Sequence, residues 1–143
     1  MTDSYDQDNV FAKILRGELP CVKVHEDDMT LAFMDVMPQS DGHTLVIPKT
    51  PSVNMMDISP ADAAALIAAV HRLAPAVKKA MAAEGIQIVQ LNGPAAGQTV
   101  FHTHFHIIPR NQGLEMGFHA RDMEDPAILE RHAEKIRAAL GSA

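Results

Sequence analysis

Residues 100–109 read VFHTHFHIIP, with histidine at every second position from 102 to 106 and a proline at 109. A period of two is the pattern of a β-strand, whose successive side chains point to opposite faces. His102, His104 and His106 therefore share one face, and Thr103, Phe105 and Ile107 share the other, which is the core face. Pro109 is expected to end the strand.

Upstream, IQIVQLN (86–92) alternates in the same way, and the loop GPAAGQ (93–98) separates the two segments, so they are predicted to pair. CVKVHE (21–26) and TLAFMD (30–35) form a predicted hairpin across Asp27-Asp28, and MPQSDGH (37–43) is a loop leading into the strand HTLVIP, which Pro48 and Pro51 close. Three helices are expected. VFAKILR (10–16) has Asp8 or Asn9 as N-cap and Gly17 as its stop. Ser59-Pro60 opens an alanine-rich helix running to about Glu84 and Gly85, which Pro75 should kink or break. Asp125-Pro126 opens the last, with Ile128, Leu129, His132, Ala133 and Ile136 on one face. Five strands adjacent in sequence with helices between them predict an α+β fold on an antiparallel sheet.

The 143 residues show no shift in composition, so one domain over 1–143 is expected, with 1–8 and 141–143 disordered. The longest apolar stretch, Ala63 to Val70, is too short for a membrane span, and the opening MTDSYDQDN is acidic and polar, unlike a signal peptide. Cys21 is the sole cysteine and has no partner for an internal disulfide; a cytoplasmic protein is expected. A net charge of -6 with no basic stripe argues against a nucleic-acid partner. Any phosphate must be held locally.

Three readings compete for the histidines. A metal site is hindered because the outer Cβ atoms of such a row lie about 13 Å apart at ~3.3 Å per residue, while Zn–N bonds are about 2 Å. No Asp, Glu or Cys follows between 106 and 109. A purely structural row would put three polar rings where a core gains nothing from them. Phosphate chemistry suits them better, with the central imidazole attacking phosphorus and its neighbours positioning it or protonating the leaving group. The preceding NGPAAGQT (92–99) supplies glycines that let backbone N–H groups approach an anion, with Asn92, Gln98 and Thr99 as side-chain donors. It lacks the G-K-[ST] of a Walker loop.

HTHFHII resembles the His-x-His-x-His signature, followed by two hydrophobic residues, of the histidine triad (HIT) family. VFAKILRGELP (10–20), LAFMDVMPQSDGHTLVIPK (31–49) and LNGPAAGQTVFHTHFHIIPR (91–110) extend the resemblance over most of residues 10–110. It implies a homodimeric α+β fold, its sheet extended by dimerisation, that binds a purine nucleotide, typically adenosine, and cleaves at the α-phosphorus. By the same resemblance, His104 is the nucleophile that becomes transiently nucleotidylylated. His106 contacts the phosphate and assists the leaving group, and His102 and His43 orient the network. Asp35 accepts from the ribose hydroxyls, Phe11, Ile14, Phe33 and Val36 line the base pocket, and Asn92, Gln98 and Thr99 bind the phosphate. Taken without the resemblance, Asp35 is a strand-end turn residue and Phe11 and Phe33 are ordinary core.

Many bacterial members of the family carry a Cys-x-x-Cys pair and a later histidine that, with the first triad histidine, bind structural zinc. Asn9, Ala12 and Pro51 stand at those positions here, so no metal and no cofactor are expected. Thr103 replaces a usual hydrophobic residue, with little expected consequence. His119 is a candidate for meeting a dimer partner or leaving group, whereas His25, His71 and His132 carry no functional expectation. The resemblance implies hydrolysis of nucleotide phosphoramidates or dinucleoside polyphosphates. A regulatory nucleotide-binding module with incidental turnover and a metal-dependent hydrolase are the alternatives.

Overall fold

A computed structural model describes residues 4–113 and 122–141. Its strands are β1 (Lys23–Glu26), β2 (Thr30–Met34), β3 (Thr44–Pro48), β4 (Gly85–Val89) and β5 (Phe105–Arg110). They form one antiparallel sheet in the order β1-β2-β3-β5-β4. The helices are α1 (Val10–Leu15), α2 (Pro60–Ala80) and α3 (Pro126–Gly141), and Pro94–Ala96 make a short 3₁₀ turn. The expected α+β fold is the observed one.

Alternation along the strands divides the sheet into two faces. Val24, Ala32, Met34, Val46 and Ile107 are buried on one face under α2 and α3, which contribute Leu66, Val70, Leu73, Val77, Leu129 and Ile136. The α2 residues recur at helical spacing, so one stripe meets the sheet. On the other face Leu31, Phe33, Leu45 and Ile47 form a smaller cluster with Phe11 of α1. Asn9 caps α1, its side-chain oxygen accepting the Ala12 N–H at 2.9 Å.

Four expectations are corrected. First, β5 begins at Phe105, leaving His102, Thr103 and His104 outside the ladder. Their hydrogen bonds go instead to the loop after β3: the Thr103 N–H donates to the Ser52 carbonyl at 2.9 Å and the His102 ring bonds the Pro48 carbonyl at 2.8 Å. Thr103 is buried in a hydroxyl pair with Ser52 at 2.6 Å rather than in the apolar core.

Second, Pro109 does not stop β5, since it pairs with Ile86 of β4 beyond the point where β3 has ended. There β5 is bordered by a strand on one side only, and a missing N–H is tolerated. Third, α2 runs through Pro75 without a break, because Pro75 and His71, the residue one turn back whose carbonyl a Pro75 N–H would have met, are both exposed. Fourth, α2 ends at Ala80 rather than near Gly85. Ala82 takes the left-handed conformation (φ 50°), and the Ala82 and Ala83 N–H groups donate to Lys79 and Lys78 carbonyls in a Schellman arrangement.

Two further features bear on the site. Residues 4–8, expected from sequence to be a loose tail, are tied to the body through Tyr5 and through Asp6, whose carbonyl accepts the Asn9 N–H. Gly42, just before β3, has φ 89°, and a Cβ there would collide with the Met81 side chain at the end of α2. No helix among the described residues is long and apolar enough to cross a membrane.

Candidate active site

Between α1 and the open face of the sheet lies a cleft of about 700 Å³. Its lining includes the apolar side chains of Val10, Phe11, Ile14, Phe33 and Val36 and the polar ones of Asp35, His43, Thr99, His104 and His106, with the Phe11 and His104 rings edge to face at 5.0 Å. Phe33 and Asp35 are two positions apart at the end of β2 and so reach the same side. His43 enters from the loop before β3, held by a hydrogen bond from its N–H to the Ser40 carbonyl at 3.1 Å. On β5, His106 lies opposite Leu45 in the register and faces away from buried Ile107.

Backbone partners assign the protons of the imidazoles. The Gln39 N–H donates to His43 Nδ1 at 3.0 Å, so a neutral His43 carries its proton on Nε2. That N–H donates to His106 Nδ1 at 2.9 Å, which puts the proton of a neutral His106 on Nε2. His104 Nδ1 lies 2.7 Å from the His102 carbonyl; it must be the donor there, which leaves Nε2 as a lone pair. His104 and His106 stack edge to face with ring centroids 5.0 Å apart. One therefore offers a nucleophilic nitrogen and the other an N–H.

Burial sets the charges. It pulls His43 down to about 3 and His102 to about 4 from 6.5, and it lowers His104 as well, so all three are neutral at neutral pH. Burial also pushes Asp35 up to about 6, against the pull of the Met37 N–H on its Oδ1 at 2.8 Å. Asp35 Oδ2 is 3.4 Å from His43 Nε2. Because His43 is neutral, this contact is a shared N–H beside a carboxylate rather than an ion pair.

The HIT domain model matches residues 16–113, which include all five strands and the cleft residues from Phe33 to His106, with α1 lying just before the match. The chain belongs to the histidine triad family. A Hit-like protein from Bartonella henselae, described as involved in cell-cycle regulation, superposes with a TM-score of 0.91 at 50% identity, covering 96% of this chain and 99% of that one. A Zn-bound histidine triad protein from Mycobacterium smegmatis superposes with a TM-score of 0.84 at 37% identity, over 95% of each chain. The adenosine 5'-monophosphoramidase hnt1 of Schizosaccharomyces pombe is 41% identical over 134 residues, 90% of this chain and 98% of that protein. The adenylylsulfatase HINT3 of Arabidopsis thaliana is 42% identical over 111 residues, 78% of this chain but only 56% of the plant protein's length.

Of the residues that the histidine triad pattern singles out, the cleft brings together Phe11, Ile14, Phe33, Val36, Asp35, Thr99, His43, His104 and His106. Three lie elsewhere. His102 is fully buried beside the cleft, with its ring committed to Tyr5 and Pro48. Gln98 has all its amide capacity used: Nε2 donates to the Val53 and Val100 carbonyls, while Oε1 accepts from Asn54 and the Gly93 N–H. The Asn92 oxygen accepts the Met55 N–H at 2.8 Å and the Gln90 amide, and its Nδ2 donates back to Gln90. These two amides brace the loop 92–99 that presents Thr99. His119 lies outside the described residues.

The residues at the family's zinc positions do not fit that metal. Asn9 spends its oxygen capping α1, Ala12 is buried and apolar, and Pro51 has no donor. Among the described residues one other set of ligand atoms converges, those of Asp35, His43 and His106, all within 4.8 Å of one another. These three are already joined through His43 Nε2, which is 2.9 Å from His106 Nδ1 and 3.4 Å from Asp35 Oδ2. Sequence reasoning did not single out Tyr5 or Gln39. The only signal was a lone aromatic in an acidic tail for the first, and none for the second, which acts through its backbone.

Proposed function

We propose that this protein hydrolyses nucleotides at the α-phosphorus through a nucleotidylyl-histidine intermediate and releases a nucleoside monophosphate. The observation that carries the reading is the backbone-set proton pattern, a lone pair on His104 Nε2 beside an N–H on His106. With the base among Phe11, Ile14, Phe33 and Val36 and the ribose hydroxyls on Asp35, the phosphate falls at Thr99 and the two histidines. His104 Nε2 attacks phosphorus and the bond to the leaving group breaks. The leaving group takes the His106 Nε2 proton, and the His43 Nε2–H, still donated to His106 Nδ1, stabilises the deprotonated ring. Water then gives a proton back to His106 Nε2 as it attacks the phosphoramidate, the N–P bond breaks with its electron pair returning to His104 Nε2, and the monophosphate leaves.

The monophosphoramidase and adenylylsulfatase relatives both act on an adenylyl group, which supports a purine substrate, adenosine first. The near-complete match to the phosphoramidase favours an amine leaving group over a nucleotide polyphosphate. Neither step needs a metal cofactor. A homodimer joined along the sheet edge fits β4, which ends the sheet and leaves Ile88 47% exposed. Sedimentation at micromolar concentration checks it.

The test is intact-mass analysis after brief mixing with adenosine 5'-phosphoramidate and, separately, a diadenosine polyphosphate. The reading expects a +AMP adduct on His104, turnover unchanged by EDTA, and loss of about 10⁴-fold or more in His104→Asn. Equal turnover in that variant would leave a binding module, and EDTA inhibition a metal-dependent hydrolase.

A further inference from the structure

Tyr5 is the chain's single tyrosine, and it approaches the triad from outside the cleft. Its hydroxyl lies 2.6 Å from His102 Nδ1, and its ring meets the imidazole edge-on with centroids 5.7 Å apart. The other end of that imidazole, Nε2, bonds the Pro48 carbonyl at 2.8 Å. A carbonyl only accepts, so Nε2 carries the proton, Nδ1 is the acceptor, and Tyr5 is the donor. The ring of His102 is therefore held at both nitrogens.

What is held matters because of the next link. The His102 carbonyl is the group that takes the His104 Nδ1–H and so keeps the His104 Nε2 lone pair free for attack. Residues 102–104 have no strand partner to fix them. Their position depends on Tyr5, on Pro48 and on the Thr103 N–H bond to Ser52. With the phenol gone, Nδ1 would be a buried acceptor without a partner, and the ring could turn over and exchange its nitrogens. Burial raises Tyr5 above the usual tyrosine range, with Asn9 and Arg16 drawing it down and Asp6 pushing it up, so the phenol keeps its proton at neutral pH.

We propose that Tyr5 is a positioning residue for the reaction: its hydroxyl locks the His102 ring, and the His102 carbonyl then keeps the proton of the nucleophile on His104 Nδ1. The kinetic part rests on the functional reading above. The tether itself does not.

Three measurements on the full chain test it. In Tyr5→Phe, which keeps the packed ring, ¹⁵N spectra of the imidazoles should show His102 losing its fixed tautomer and His104 losing part of its Nδ1–H character. With adenosine 5'-phosphoramidate, kcat should fall about 3- to 10-fold, the range of one hydrogen bond, while KM stays within about twofold. Because the chain holds one tyrosine, biosynthetic 3-fluorotyrosine alters this phenol alone without a mutation. Its more acidic hydroxyl should move the alkaline fall in kcat to lower pH.

Unmoved His104 signals in Tyr5→Phe would overturn the proposal, as would an unchanged kcat in an active enzyme or an alkaline limb that ignores the fluorine. A drop in Tm with none of these effects would assign Tyr5 to folding alone. Should the wild type turn over neither substrate, the functional reading falls, and the His104 nitrogen signals decide the tether by themselves.

Discussion

On the face covered by α2 and α3, the sheet spends Val24, Ala32, Met34, Val46 and Ile107 on a continuous apolar core; on the face turned to α1, a core of five residues gives way to a cleft lined in part by imidazoles. The same strands build both. Along β2, Ala32 and Met34 go one way and Leu31, Phe33 and then Asp35 the other. One face is closed by helices and supplies the hydrophobic stabilisation. The other buries His43, His102 and His104 uncharged, and it holds Asp35 well above its ordinary value. A period of two thus separates a stabilising surface from one that gives up stability for chemistry.

If the division is real, changes to one face should leave the other's property alone. The largest expected effect is on the open face: His106→Asn should lower kcat by about 10²–10⁴ through loss of the proton donor, with Tm changed by no more than a few degrees. A comparable loss in KM alone would mean that His106 only binds. Next is Leu66→Ala on the covered face, where a fully buried side chain leaves a cavity and about 2–5 kcal/mol of stability is lost in urea unfolding. Its kcat and KM at 25 °C should match the wild type; a raised KM would show that the two faces are coupled.

Acid should act through the open face. His43 and His102 sit near 3 and 4 in the folded chain and at 6.5 when unfolded, so as pH falls below 6.5 the unfolded chain binds protons that the folded one refuses, and stability falls. Asp35 works the other way between about 6 and 3.8, since there the folded chain binds the extra proton. At pH 5 the balance is a net loss of about 2–3 kcal/mol relative to pH 7, seen as a Tm lower by several degrees. A flat Tm would contradict the burial of these rings. The smallest effect belongs to the covered face: Ala82→Gly relieves a left-handed alanine at the end of α2 and should add about 1 kcal/mol to stability without touching KM.

The parts of this molecule that the sequence made legible are those set locally. Asn9 and Ser59 as caps, the hairpin at Asp27-Asp28 and the alternation that puts His106 opposite Ile107 all depend on neighbours a few residues away. What was not legible depends on distant partners. The histidine segment leaves the ladder at His104 because residues 48–52 take its hydrogen bonds, and Gln98 turns inward because Val53, Asn54 and Gly93 surround it. Gly85 looked like the stop of α2, but Ala82 accepted the conformation first. Tyr5 could be seen only as one aromatic in a polar tail, and its partner is 97 positions away.

Met81 fills the place where a side chain at residue 42 would stand, directly before His43. The end of a long helix on the covered face is therefore a backstop for the loop that aims an imidazole on the open one. Helix ends fray before helices melt. On gentle heating, inactivation should run ahead of denaturation: activity is lost a few degrees below the transition seen by circular dichroism and returns on cooling. The working temperature of this protein would then be set by one methionine at a helix end rather than by the strength of its core.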